Sequence, residues 1–337
     1  MEQPDVQQLF FQHIKNNLPR HLSLVDEVAE LLNISTDSAY RRIRGEKMMS
    51  FDEIRTLCKQ FNISLDQFFF LTSQSLIFTG KNADSSDFSL EMHLRSILAE
   101  LVYINSFERK EMIVSNKDVT IFHYFNYNEL AAFKFFFWMK TLLQVPLFGR
   151  KLFDVDEMTQ SLQNLGHQII EEYNKINSQE IWNVENIHTI IYQIEYYKET
   201  KMFASPQDII NLYECVEKMV NHIEKQAELG YKFDVNGKYP PEKASYKMFV
   251  NEFVLGDNSF FAVLNDTKIV HINHSVLNFI TTKDTRFVEY TYQHLQNIIR
   301  KSTLISDVGE KDRKRFFDRM REKIQLRKKA AANYNPK

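Results

Sequence analysis

The tightest constraint on this chain lies between Ser23 and Gly45, where caps and stops leave the backbone few choices. Ser23 is placed to cap a helix whose apolar residues Leu24, Val28, Leu31 and Leu32 share one face. Asn33 tolerates the left-handed conformation that closes a helix. Ser35 can cap a second helix over Thr36 to Arg44, and Gly45 can end it. Two short helices and a tight turn are thus specified locally. The second helix carries Arg41, Arg42 and Arg44, although the whole chain has a net charge of only -2.

The flanking sequence continues in short helices. Val6 to Asn17 has apolar residues at Leu9, Phe10 and Ile14 and is stopped by Pro19. Ser50 and Glu53 form a capping box (SFDE) for a fourth helix through Phe61, and Ser64 and Gln67 (SLDQ) form another for a fifth. Ala29 and Ala39 are small enough for two helices to cross closely, and Ile34 can plug the turn into the core. Phe51, Ile54, Leu57 and Phe61 supply the apolar face of the fourth helix.

Taken together, Val28-Ala29, Asn33-Ile34-Ser35, Ala39, Ile43, Gly45 and the FNISLDQF segment resemble the helix-turn-helix of the lambda-repressor-like, or Xre-like, family over about residues 5 to 70. The resemblance implies a bacterial sequence-specific DNA-binding regulator that sets its second helix into the major groove of double-stranded DNA. Thr36, Asp37, Tyr40 and Arg41 are then the expected base readers, and Arg42, Arg44 and Lys47 the expected phosphate contacts. A homodimer is expected, because one recognition helix makes few base contacts and two half-sites multiply them. The alternative is a protein–protein interaction scaffold that uses the helical bundle as its binding module.

Residues 1–75 therefore read as a DNA-binding domain and residues 76–87, with the polar run KNADSSD, as a linker. From Phe88 to about Gly230 the pattern is helical, with a strong helix start at Ser205-Pro206-Gln207-Asp208 and a stop at Gly230. Asp234 to Glu242 (DVNGKYPPE) breaks it, and short β-branched and aromatic runs then predict a small antiparallel β-meander near 247–272. Helices resume by Arg286 and again from about Glu310, and residues 330–337 read as a disordered tail. The expected fold is mainly α: a five-helix N-terminal bundle, then a large helical region, 88–329, for sensing and oligomerisation. A small molecule or a protein is expected as effector on that region.

At 337 residues the chain has room for two domains, and its 8 Gly and 7 Pro against 28 Phe and 15 Tyr favour helices over turn-rich β architecture. Cys58 and Cys215 are the only cysteines and no secretory signal opens the chain, so a reduced, cytoplasmic protein is expected. The most apolar stretch, Leu130 to Phe148, is interrupted by Lys134, Lys140, Gln144 and Pro146, which favours a buried helix over a membrane span. The basic run Lys311 to Lys329 contains Asp312, Asp318 and Glu322 at helical spacing and reads as a solvated helix face. His271 and His274 stand three apart in a strand, on opposite faces, and suggest no metal pair. Glycine-rich phosphate loops, nucleophile elbows and His-Glu-x-x-His helices are absent from the sequence, so neither enzyme activity nor a cofactor is expected.

Overall fold

A computed structural model describes residues 5–18, 22–61, 63–65, 76–80, 89–115, 117–253, 258–275 and 277–335. The chain divides into two compact units, Met1–Ile77 and Phe78–Lys337.

In the first unit the caps act where the sequence places them. Helix α1, Val6–Asn17, is capped by Asp5; α2, Leu24–Leu32, by Ser23; and α3, Thr36–Ile43, by Ser35. Asn33 closes α2 at φ 51°, and Gly45 follows α3 at φ +79°. That left-handed conformation strains any side chain at Gly45, and a Cβ there would also press on the Asp5 carboxylate, 2.6 Å from Oδ2. Ser50 and Glu53 cap α4, Phe51–Phe61, reciprocally at 2.9 and 3.3 Å. Phe10, Phe11, Ile14, Val28, Ala29, Ala39 and Leu57 form the buried core, with Ile34, Ile43 and Phe61 packed against it. Phe51 departs from the expected core set: it occupies the first position of α4, before the helix has turned toward the core, and is 89% exposed. The fifth helix expected from Ser64 lies mostly outside the described residues, as does the polar run 81–87.

The second unit is not the mainly α region with a small meander that the sequence suggests. Among the described residues it contains an eight-stranded mixed sheet in the order β1-β7-β6-β5-β2-β3-β4-β8, an α/β architecture. The strands are β1 (Thr79–Gly80), β2 (Lys110–Ser115), β3 (Asn177–Trp182), β4 (Tyr246–Val250), β5 (Ser259–Leu264), β6 (Thr267–Ser275), β7 (Asn278–Thr282) and β8 (Thr303–Leu304). Strands β2, β3 and β4 run parallel, while β5, β6 and β7 form an antiparallel meander beside β2. The segment near 247–250 belongs to the parallel part and not to that meander.

Parallel strands require crossovers, and the helices supply them. Helices α5 (Leu90–Asn105), α6 (Ile121–Tyr124), α7 (Asn128–Phe137), α8 (Gln160–Asn174), α9 (His188–Glu199), α10 (Pro206–Leu229) and α12 (Glu310–Ala331) contribute to the large core on one sheet face. Helix α11, Thr285–Arg300, covers the other face with Val288 and Leu295 against Ile113, Ile181, Phe261 and Val270. Helix α7 is buried from Leu130 through Phe137, and no helix of the described residues is long and apolar enough to cross a membrane. Where the sequence reads as a disordered tail, α12 runs through Ala331 and the Tyr334 hydroxyl donates to the Phe203 carbonyl at 3.0 Å.

Gly166 of α8 marks a close approach. A Cβ there would meet Phe125 Cδ1 at 3.0 Å and Cγ at 3.2 Å. Gly166→Ala must displace a buried ring, and thermal denaturation is expected to record a loss of ~1–3 kcal/mol from the second unit; an unchanged or raised midpoint contradicts the packing described.

Candidate nucleic-acid interface

Helix α3 is eight residues long, so the rotation about its axis decides what it can present. Ala39 is fully buried against the core shared with α2, and Ile43 packs beside it. Thr36, Asp37, Tyr40 and Arg41, the four expected base readers, all lie on the exposed side, and so do Arg44 and Lys47 of the expected phosphate contacts. The Arg44 guanidinium sits 5.6 Å over the Tyr40 ring, which steadies both groups on that face.

Arg42 does not belong to that surface. It lies three residues after Ala39, shares its face, and is only 4% exposed. Its Nη2 donates to Glu53 Oε1 at 2.6 Å and its Nη1 to the Ser38 carbonyl at 3.2 Å. A guanidinium held this way cannot reach a phosphate without leaving Glu53 unpaired, so the phosphate role expected of Arg42 is replaced by a structural one. Glu53 thereby serves twice, since its other oxygen caps α4 through the Ser50 N–H at 2.9 Å.

Three further groups shape the face, and the sequence gives little sign of them. Buried Gln7 donates to the Arg42 and Lys47 carbonyls at 2.7 and 2.8 Å and accepts from the Met49 N–H at 3.0 Å. Gln8 donates to the Arg44 carbonyl at 2.7 Å. Helix α1 therefore clamps the turn that follows α3, the segment that holds Arg44 and Lys47. Glu46 stands 4.0 Å from Arg41 Nε and 3.8 Å from Arg44 Nη1. Such exposed pairs are weak and are readily exchanged for an external anion. Acidic side chains slightly outnumber basic ones across residues 1–77, so the positive character of this unit is local to the α3 face.

In the second unit, a cleft of about 480 Å³ is bordered by Glu129, Lys151, Phe153, Asp154, Asp208 and Leu212. Two of its carboxylates already hold backbone: Asp154 accepts from the Asp156 N–H, and Asp208 from Ser205. His271 faces Thr281 Oγ1 at 2.9 Å and Glu100 Oε1 at 3.5 Å, whereas His274 is exposed. Among the described residues no group of three His, Cys, Asp or Glu side chains could hold a metal ion, and Cys58 and Cys215 are both free thiols.

No known protein family, curated protein or solved structure matches the chain.

The Arg42 hydrogen bond is the main cause that lowers the Glu53 carboxyl below its ordinary value, against the cost of burial. A lowered carboxyl stabilises the folded state above its unfolded value of 4.5, and the contribution fades as pH falls below that. Glu53→Gln, which leaves a buried guanidinium without its counter-charge, is expected to cost about 3 kcal/mol in native-state hydrogen exchange of α3 and α4 at neutral pH. The deficit should shrink under acid, where wild type loses the same interaction; a deficit independent of pH contradicts the assignment.

Proposed function

We propose that the chain is a cytoplasmic, sequence-specific DNA-binding regulator of transcription that lays α3 in the major groove and acts as a homodimer. The observation that carries this reading is the division of α3 into two faces. Ala39 and Arg42 turn inward, while Thr36, Asp37, Tyr40, Arg41 and Arg44 stand uncovered together. An uncovered helix of this width fits a major groove, and the side chains on it match base edges. Arg41 can bond bidentately to guanine O6 and N7, Asp37 can accept from cytosine N4, and Thr36 or Tyr40 can touch a thymine methyl. Arg44 and Lys47, on a backbone turn that Gln7 and Gln8 hold by its carbonyls, would meet phosphates and give affinity without sequence information.

Four readers on one short helix specify few base pairs. Two copies of the chain on half-sites about 34–36 Å apart would double that number, which is why a dimer is part of the proposal. The second unit is the region on which dimerisation and an effector would act. A second reading, a protein-interaction module, draws support from Met48 and Phe51, which are 74% and 89% exposed beside the turn after α3.

Fluorescence anisotropy with duplex DNA separates the two. Under the DNA reading, Arg41→Ala weakens specific binding about tenfold or more, the equivalent of ~1–3 kcal/mol for a bidentate contact. Arg44→Ala weakens all sequences alike and lowers the salt slope by about one. Glu46→Gln, which frees both arginines from their own carboxylate, tightens binding. Under the protein reading no duplex is retained at low salt, and Arg41→Ala changes nothing.

A further inference from the structure

The core of the second unit contains a group of polar side chains that the DNA-binding reading does not use. Ser178, Glu180 and Trp182 alternate along β3 onto the face toward the large core, and each is buried. The Glu180 carboxylate accepts from the hydroxyls of Tyr173 and Tyr246 and from Trp182 Nε1, the last two at 3.1 and 2.7 Å. His123 Nε2 lies 3.6 Å away with no hydrogen-bond partner. Burial raises this carboxyl, but His123, Tyr173 and Trp182 outweigh it and hold Glu180 down at about 2.

Lys232 enters the same group from the segment after α10. It is fully buried, and its amine makes two hydrogen bonds, to the Tyr173 carbonyl at 2.7 Å and to Ser178 Oγ at 2.6 Å, while lying 3.6 Å over the Tyr173 ring. Among the described residues no carboxylate stands within ion-pair reach of it. Glu180, whose charge pulls on it from within the same group, is already occupied by other donors. An ammonium in that place is desolvated and only partly compensated. Ser178 Oγ also donates to the Ile176 carbonyl at 3.1 Å, so one hydroxyl serves both Lys232 and the turn between α8 and β3.

We propose that Lys232 and Ser178 form a proton-operated switch at the junction of α8, β3 and the segment after α10. With Lys232 charged, its ammonium must donate to Ser178, and the hydroxyl proton is directed to the Ile176 carbonyl. With Lys232 neutral, the amine offers a lone pair and the hydroxyl can donate to it, which releases Ile176. One proton gained or lost thus reverses a hydrogen bond that ties the α8–β3 turn. Burial supports this by pushing the Lys232 amine down to about 7.

The titratable and charged groups around it are Tyr173 on α8, Glu180 on β3, Tyr246 on β4, His123 on α6, and His222 with Asp234 on and after α10. His222, pushed down to about 4 mainly by burial, holds the Phe233 carbonyl at 3.0 Å and stays neutral through the range in which Lys232 titrates. Because the amine is depressed, the folded state loses this proton at lower pH than the unfolded chain. Stability should therefore rise with pH above about 7, by about tenfold in the folding constant per pH unit for one proton.

The test uses the full chain and its two tryptophans, of which Trp182 donates directly to Glu180. Tryptophan emission is expected to titrate once, with a midpoint near 7. The step should be absent in Lys232→Met and in Lys232→Arg, which fix the site as neutral and as charged. Lysine side-chain NMR on wild type supplies a readout that does not depend on any variant folding: one amine should lose its proton near pH 7. Emission that is flat from about pH 6 to 9, a step that persists in Lys232→Met, or a set of lysines that all keep their protons past about pH 9 would each overturn the proposal.

Discussion

The Arg42–Glu53 ion pair sets the rotation of α3, and the character of the N-terminal unit follows from that rotation. An eight-residue helix makes about two turns, and its buried residues are only Ala39 and Arg42. Ala39 and Ile43 give one side of the answer, and the 2.6 Å guanidinium–carboxylate contact completes it by drawing Arg42 inward. Once Arg42 is inside, Arg41 and Arg44 must be outside, since helical geometry separates them by about 100° per residue. Glu53 also caps α4, so the same carboxylate joins the start of one helix to the inner face of another. The buried Gln7 then holds the turn that follows, and the outward basic side chains are carried on backbone anchored from two directions.

Much of this unit was legible because its signals are local. Ser23, Ser35 and Ser50 act within three residues of themselves, and Asn33 ends α2 through its own backbone conformation. The sequence misleads where a partner from farther along the chain decides. Arg42 looks like a surface residue until Glu53, eleven positions on, supplies a counter-charge inside. Phe51 looks like core, but stands at the first position of its helix and points to solvent. Gln7 has no signature at all, since its three bonds reach residues 42 to 49.

The second unit was harder to read for a related reason. Strand β2 (KEMIVS) and strand β3 (NSQEIW) are six residues each, each entered from a helix of fifteen or sixteen residues, and their partners lie more than sixty positions away. Strand β3 disguises itself further, because Ser178 and Glu180 are polar where an inward strand position should be apolar. Composition argued for helices and was correct about their abundance, but it could not report two short strands that recruit the meander into one sheet. The residues that hide the strand are the ones that give the core its ionisable group. A buried carboxylate with three donors and a neighbouring buried lysine are features that a purely structural core can do without.

The outward side of α3 is the part of the molecule on which the functional reading stands, and selection from a random duplex library with the purified full chain addresses it most directly. The account predicts enrichment of a pseudo-palindromic sequence with half-sites one helical turn apart, and loss of base preference within each half-site when Arg41 is replaced by alanine. Recovery of no enriched sequence at low salt, or an enriched sequence that Arg41→Ala leaves unchanged, would contradict it.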